Sequence, residues 1–237
     1  MQTPAKRKTS GRKLTWTSAK KRKVNLPSAS VVPRGLGAPS YAQPLRKTLS
    51  AKLIYTENFQ LSAVAGATAS KLFRANGLFS PSVSGGGAAH QPRGFDQLIA
   101  LYENFYVKQS RIELVVDNGG NFGVAGIGGG LVSINLQQNT TGSSNLNDQL
   151  ERACITYDTF KNDKFHKLAL QADIPKFLGI PAMEDSLKGT TSADPTQQAY
   201  WAVVASPLNN AFAVSYNCQI RIIYDCVFVE PIPPPQS

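Results

Sequence analysis

Between Val214 and Phe228 every second residue is apolar: Val214, Tyr216, Cys218, Ile220, Ile222, Tyr224, Cys226 and Phe228. Ser215, Asn217, Gln219, Arg221 and Asp225 hold the opposite parity. Successive side chains of a strand point to opposite faces, so this run predicts a long strand with one buried face and one wet face. Glu230-Pro231 and the Pro233-Pro234-Pro235 tail stop it.

The same period recurs upstream. From residue 52, Leu53, Tyr55, Phe59, Leu61 and Ala63 share one parity and Thr56, Asn58, Gln60 and Ser62 the other, with Glu57 an exception on the apolar face. A short strand over 69–75 ends at the turn dipeptide Asn76-Gly77. Asp96 is expected to N-cap a short helix in which Leu98, Ile99, Leu101, Tyr102 and Phe105 recur at helical spacing. Further strands are expected over 106–117, 131–138, 152–158, 165–172 and 199–206, with the last one spanning 213–229. The glycine runs at 84–87 and 126–130 lack the Gly-Lys-Ser/Thr of a phosphate loop and read as turns. Seven or eight strands with long loops and almost no helix predict an all-β sandwich or jelly roll.

Charge divides the chain. The first 52 residues carry 13 Lys/Arg and no acid, and the first acid is Glu57. The remaining residues hold 12 Lys/Arg against 15 acids, a net of −3. A basic arm and linker over 1–50 is therefore expected ahead of one folded domain over 51–237. An uncompensated cationic arm finds its strongest partner in a polyanion, nucleic acid or an anionic membrane. Residues 1–24 show only scattered Leu14, Trp16 and Val24, too little for an apolar face, which favours nucleic acid. The expected contacts are Lys6, Arg7, Lys8, Arg12, Lys13, Lys20, Lys21, Arg22 and Lys23, continued by Arg34, Arg46 and Lys47. The clusters Lys6-Arg7-Lys8 and Lys20-Lys21-Arg22-Lys23 also match a bipartite nuclear-import signal, which implies a host import receptor as partner.

Chemistry finds little purchase. No G-x-S-x-G, HExxH or carboxylate cluster is present, and His90 and His166 are the only histidines, so no catalytic residue, metal site or cofactor is expected. Cys154, Cys218 and Cys226 form no zinc spacing. Cys218 and Cys226 share the apolar parity of the last strand, about 26 Å apart at roughly 3.3 Å per residue, beyond disulfide reach. No run of 18 apolar residues is present, so no membrane insertion is expected, and no secretory signal peptide.

Three stretches carry a resemblance: Phe73-Arg74-Ala75-Asn76-Gly77-Leu78-Phe79-Ser80-Pro81; His90-Gln91-Pro92-Arg93-Gly94-Phe95-Asp96-Gln97-Leu98 leading to Tyr102-Glu103-Asn104-Phe105-Tyr106-Val107; and the closing Ile220 to Pro231. Together with the basic arm they resemble the capsid proteins of circular, Rep-encoding single-stranded DNA viruses, the circovirus-like group. The resemblance implies a single eight-stranded antiparallel jelly roll with sheets B-I-D-G and C-H-E-F. It implies a shell of sixty copies with arms directed inward onto a single-stranded DNA genome, and a virion protein that passes through the host nucleus and meets an unknown host cell-surface receptor. It places His90, Gln91, Pro92, Arg93, Gly94 and Asp96 in a subunit-contact loop, with His90 a hydrogen-bonding residue and a pH switch the alternative. Loops 77–95, 119–130, 139–150 and 179–197 are expected to build subunit contacts and the outer surface. The alternatives are a coat protein of a small single-stranded RNA virus and a non-viral nucleic-acid-binding β-sandwich module.

Overall fold

The computed structural model describes residues 45–83, 90–118, 129–142, 145–153, 155–160, 165–209 and 212–233. All lie in the unit Gln43–Ser237. The strands are β1 (Thr48–Ala63), β2 (Ala69–Arg74), β3 (Tyr102–Asn118), β4 (Gly130–Gln137), β5 (Ile155–Phe160), β6 (His166–Asp173), β7 (Tyr200–Pro207) and β8 (Val214–Pro231). Three five-residue helices sit in the connections: α1 (Phe95–Ile99), α2 (Leu146–Leu150) and α3 (Ile174–Leu178).

β8 is the strand its alternation announced, and all eight of its same-parity apolar residues are buried. It pairs antiparallel along both edges, with β1 on one side and β3 on the other. β6 extends the far edge of β3, so the first sheet runs β1-β8-β3-β6. The second runs β2-β7-β4-β5. These are the B-I-D-G and C-H-E-F sheets of an eight-stranded antiparallel jelly roll, as the resemblance implied. Between them lies one core of alternate residues, in which Trp201 of β7 donates its indole N–H to Ser110 Oγ of β3 (2.9 Å), tying one sheet to the other.

Three departures from the simple pattern have local causes. β3 begins at Tyr102, four residues before the expected start, and the expected helix stops at Ile99. The register of β3 on β8 shifts between Val107 and Gln109. Before this bulge the odd residues Phe105 and Val107 face the core; after it the even residues Ile112, Leu114 and Val116 do. A bulge switches parity, so Phe105 and Val107 fell out of phase with the strand residues that follow, while Tyr102, buried in the same core three residues before Phe105, gave the spacing of a helix. Asp96 does not cap α1: Gly94 holds that position at φ 90°, with no side-chain cap. Phe95 then drops into an aromatic cluster, edge-on to Phe105 (5.3 Å between centroids) and near Phe228 (6.5 Å).

β4 and β7 are buried on both faces. Their outer side is roofed by the chain's own connections. Gln149 of α2 bonds Ser133, and Val83 packs on Leu72, Ala202 and Val204. β7 accordingly reads as a continuous apolar run rather than an alternation. The sequence signals for α3 are complete: Asp173 accepts from the Lys176 amide (3.1 Å), Pro175 sits in the first turn, and Gly179 closes it at φ 70°.

Gly130 opens β4 where the backbone passes the Tyr216 hydroxyl; a Cβ there would stand 1.8 Å from that oxygen. Tyr216 is buried, and that burial raises its phenol to about 12. Gly130→Ala is therefore expected to lower stability by about 1–3 kcal/mol, as overpacking does. An unchanged thermal unfolding midpoint would contradict this packing.

Candidate nucleic-acid and subunit-contact surfaces

Lys6, Arg7, Lys8, Arg12, Lys13, Lys20, Lys21, Arg22, Lys23 and Arg34 lie outside the described residues. Arg46 and Lys47 mark the root of the arm and are exposed. The Arg46 carbonyl accepts from Tyr102 OH (3.1 Å), so the chain joins the barrel at the end where β3 starts and β8 finishes. No described acid pairs with either cation. Lys52, the last cation before the first acid, already sits on the sheet surface and pairs with Asp225 of β8 (3.3 Å).

The expected contact loop is a turn held from within. Phe95 N–H donates to Pro92 O (3.0 Å), closing a turn that needs the left-handed backbone of Gly94. The Gln91 amide, oriented with its NH2 toward the carboxylate, donates to Asp96 (2.5 Å to Oδ1). The His90 ring lies on Tyr55 (4.7 Å between centroids), with one nitrogen 2.9 Å from Thr56 O and the other 2.9 Å from Gln91 O. The turn is thereby fastened to β1, and His90, Arg93 and Asp96 face outward.

Beneath His90 lies the reason for the misplaced Glu57. Tyr55 OH donates to Glu57 Oε2 (2.5 Å), and Lys71 of β2 bonds Oε1. The Lys71 ammonium also sits 4.6 Å from the Phe59 ring centroid. A half-buried ion pair thus links β1 to β2, and burial together with the Glu57 bond pushes the Tyr55 phenol well up.

The connection 179–199 is anchored by side chains from distant segments of the chain. The Asn76 side chain donates to Gln197 O (2.8 Å) and accepts from Ala199 N–H (3.1 Å). Asp194, its side chain only 7% exposed, lies 3.5 Å from Arg74 Nε and accepts from the Phe79 amide (3.0 Å). Burial holds the Asp194 carboxyl above its usual range despite those partners. Gly189 exchanges both backbone bonds with Phe105. Ala182 covers Tyr106, Val227 and Val229 on the outer side of the first sheet. At the end of β8, Glu230 adopts φ 62° and takes bonds from Asn104 and from Lys188 (3.0 Å), which also reaches Asp185 (2.8 Å). The Arg-x-Asn and Glu-Pro segments of the resemblance are therefore the two clamps on one loop. Their only sequence signal was the resemblance itself, since nothing local pairs Arg74 with a residue 120 positions away in the chain.

Cys218 and Cys226 are buried free thiols, pushed up to about 12 by that burial, while Cys154 lies outside the described residues. His166 and Asp158 (2.6 Å) join the edge strands β6 and β5 across the two sheets.

No family model matches the sequence, and no curated protein sequence does either. Among solved structures the fold is similar to that of Cocksfoot mottle virus, at 12% identity and TM-score 0.46, covering 79% of this chain and 97% of that one. It is also similar to the BFDV capsid protein in a decamer (12% identity, TM-score 0.42, 76% and 99% covered) and in a 60-mer (12%, 0.42, 81% and 100%). The strand order, rather than these likenesses, defines the jelly roll.

Two outcomes follow from the clamps. Arg74→Met strands the buried Asp194 carboxylate and is expected to cost about 3 kcal/mol, part of it recovered when Asp194→Asn accompanies it, since Arg74 also bonds Gln198 and Ser80; equal loss in both variants would contradict the pairing. Lys188 bonds lower the carboxyls of Glu230 and Asp185, and a lowered acid contributes stability above its ordinary range that is lost as pH falls through the lowered value. The protection factor of the Gly189 amide, corrected for the intrinsic pH dependence of exchange, is therefore expected to fall on acidification below the usual carboxylate range, and Lys188→Met to abolish that dependence. Protection unaltered by Lys188→Met would contradict it.

Proposed function

We propose that the chain is a viral coat protein that assembles with copies of itself into a closed shell, sixty copies in the simplest case, and packages a single-stranded DNA genome through its basic arm. One observation carries the reading: a jelly roll whose residues from 53 onward sum to only −3, joined at Arg46-Lys47 to a segment of pure positive charge. A wall near neutrality can meet itself without strong repulsion, while only a polyanion neutralises the arm. The contact loop supports self-association, because it is rigid and presents His90, Arg93 and Asp96 to the outside. In this role Lys6 to Lys23, Arg34, Arg46 and Lys47 bind phosphates, and the two basic clusters also direct the chain to the nucleus before assembly. The protein would then reside in the virion.

Binding by such an arm releases counterions and is blind to sequence, so affinity for a single strand should fall steeply with salt. Full-length protein is expected to retain nuclease-resistant nucleic acid that DNase degrades after denaturation. Deletion of residues 1–47 should abolish both that cargo and the salt slope. RNA as the protected species would move the reading to a small RNA-virus coat; no protected nucleic acid, with a flat salt response, would overturn packaging altogether.

A further inference from the structure

We propose that the solvent face of the β1-β8-β3-β6 sheet holds a slot for one unpaired nucleobase of the packaged strand, with Phe165 as its stacking surface. The inference rests on the packaging reading and adds to it a contact that does not depend on charge.

The slot is a cavity of about 490 Å³ whose lining includes Phe165, Val115, Asp117, Asn58, Asn217 and Gln219. Its composition follows from the register. Lys167, Val115, Gln219 and Asn58 form one row across the four strands; Asp117, Asn217 and Gln60 form the next. At about 4.8 Å between strands, each row sets its side chains side by side on one surface. Phe165 precedes β6 at the edge of these rows and is 72% exposed, more than any other large apolar residue described.

A lone exposed phenylalanine is ordinary on a protein surface. What makes this one a site is the chemistry that converges beside it. Asn58, Asn217 and Gln219 each offer a donor and an acceptor, and Asp117 offers acceptors only; no described residue takes up any of these side-chain groups. An aromatic face with amides and one carboxylate matches a nucleobase, whose flat surface stacks and whose edge presents amino, imino and carbonyl groups. Asp117 favours bases that present N–H donors, as cytosine does through its exocyclic amine. Lys167, exposed and paired with no described acid, stands at the β6 end of the Val115 row for a flanking phosphate.

The occupant follows from charge complementarity with the arm. Its root at Thr48 lies ten residues along β1 from Asn58, about 33 Å at roughly 3.3 Å per residue. The 47 residues ahead of Thr48 have ample contour to bring a bound strand that far.

The test uses full-length protein and two probes, a short single-stranded oligonucleotide and its abasic counterpart, followed by fluorescence anisotropy across a salt series. Wild type is expected to bind the base-containing strand more tightly by roughly fivefold or more, with that ratio unchanged by salt. Phe165→Ala should erase the ratio and leave the salt slope, whereas Phe165→Tyr should keep both; unfolding midpoints check that each variant folds. A retained slope with no base dependence, or with a ratio indifferent to Phe165→Ala, overturns the slot and spares the packaging reading. A missing slope overturns packaging and the slot with it. Phe165→Ala that alters only assembly assigns the residue to a contact between copies and overturns the slot, as does binding of neutral oligosaccharide that requires Phe165.

Discussion

The fold depends on β8. Its eight buried alternate residues supply the floor of the core, and its two edges fix β1 and β3 in register over almost their whole length. A one-residue slip would turn every one of those side chains to solvent, so register is dictated by burial rather than by turns. The second sheet closes on this floor and is held by Trp201 to Ser110 and by the Glu57–Lys71 pair.

Onto that rigid frame the functional surfaces are clamped rather than draped. His90 fastens the turn at Pro92–Phe95 to β1, and Asn76, Arg74 and Lys188 fasten the connection 179–199 to both sheets. Long surface connections are commonly mobile or functional. Here their polar groups bond to the body, and under the proposed role a contact between copies would meet a preset shape and lose less entropy on association. The strained backbone of Glu230 fits the same pattern, because two side-chain bonds hold its carboxylate where β8 turns into the tail.

That the body is built of alternating strands was legible in the sequence because it rests on period; the strand order came from the resemblance, since period does not say which strand pairs with which. β1 and β8 alternate over most of their length, Glu57 and the covered outer Val227 and Val229 apart. β3 was only half legible: the bulge at Lys108 puts Phe105 and Val107 out of phase with Ile112, Leu114 and Val116, and Tyr102 and Phe105, both buried three residues apart, looked helical. β7 gave no alternation because its outer face is roofed, and α2 lacked length for a period to show, although Asn145 caps it. The partners of Arg74, Asn76 and Glu230 were illegible, since a contact between distant segments leaves no local trace. Glu57 did leave one, as a charge on an apolar face. The base slot was also hidden, because its residues come from four strands and meet only through register.

The central claim is that this barrel builds a closed wall around nucleic acid. Single-particle cryo-electron microscopy of the purified full-length protein tests it most directly. The expected result is uniform spherical particles with icosahedral symmetry, barrels in the wall, and density inside at the level of nucleic acid. Monomers or open oligomers alone, at every salt concentration and pH, would contradict it.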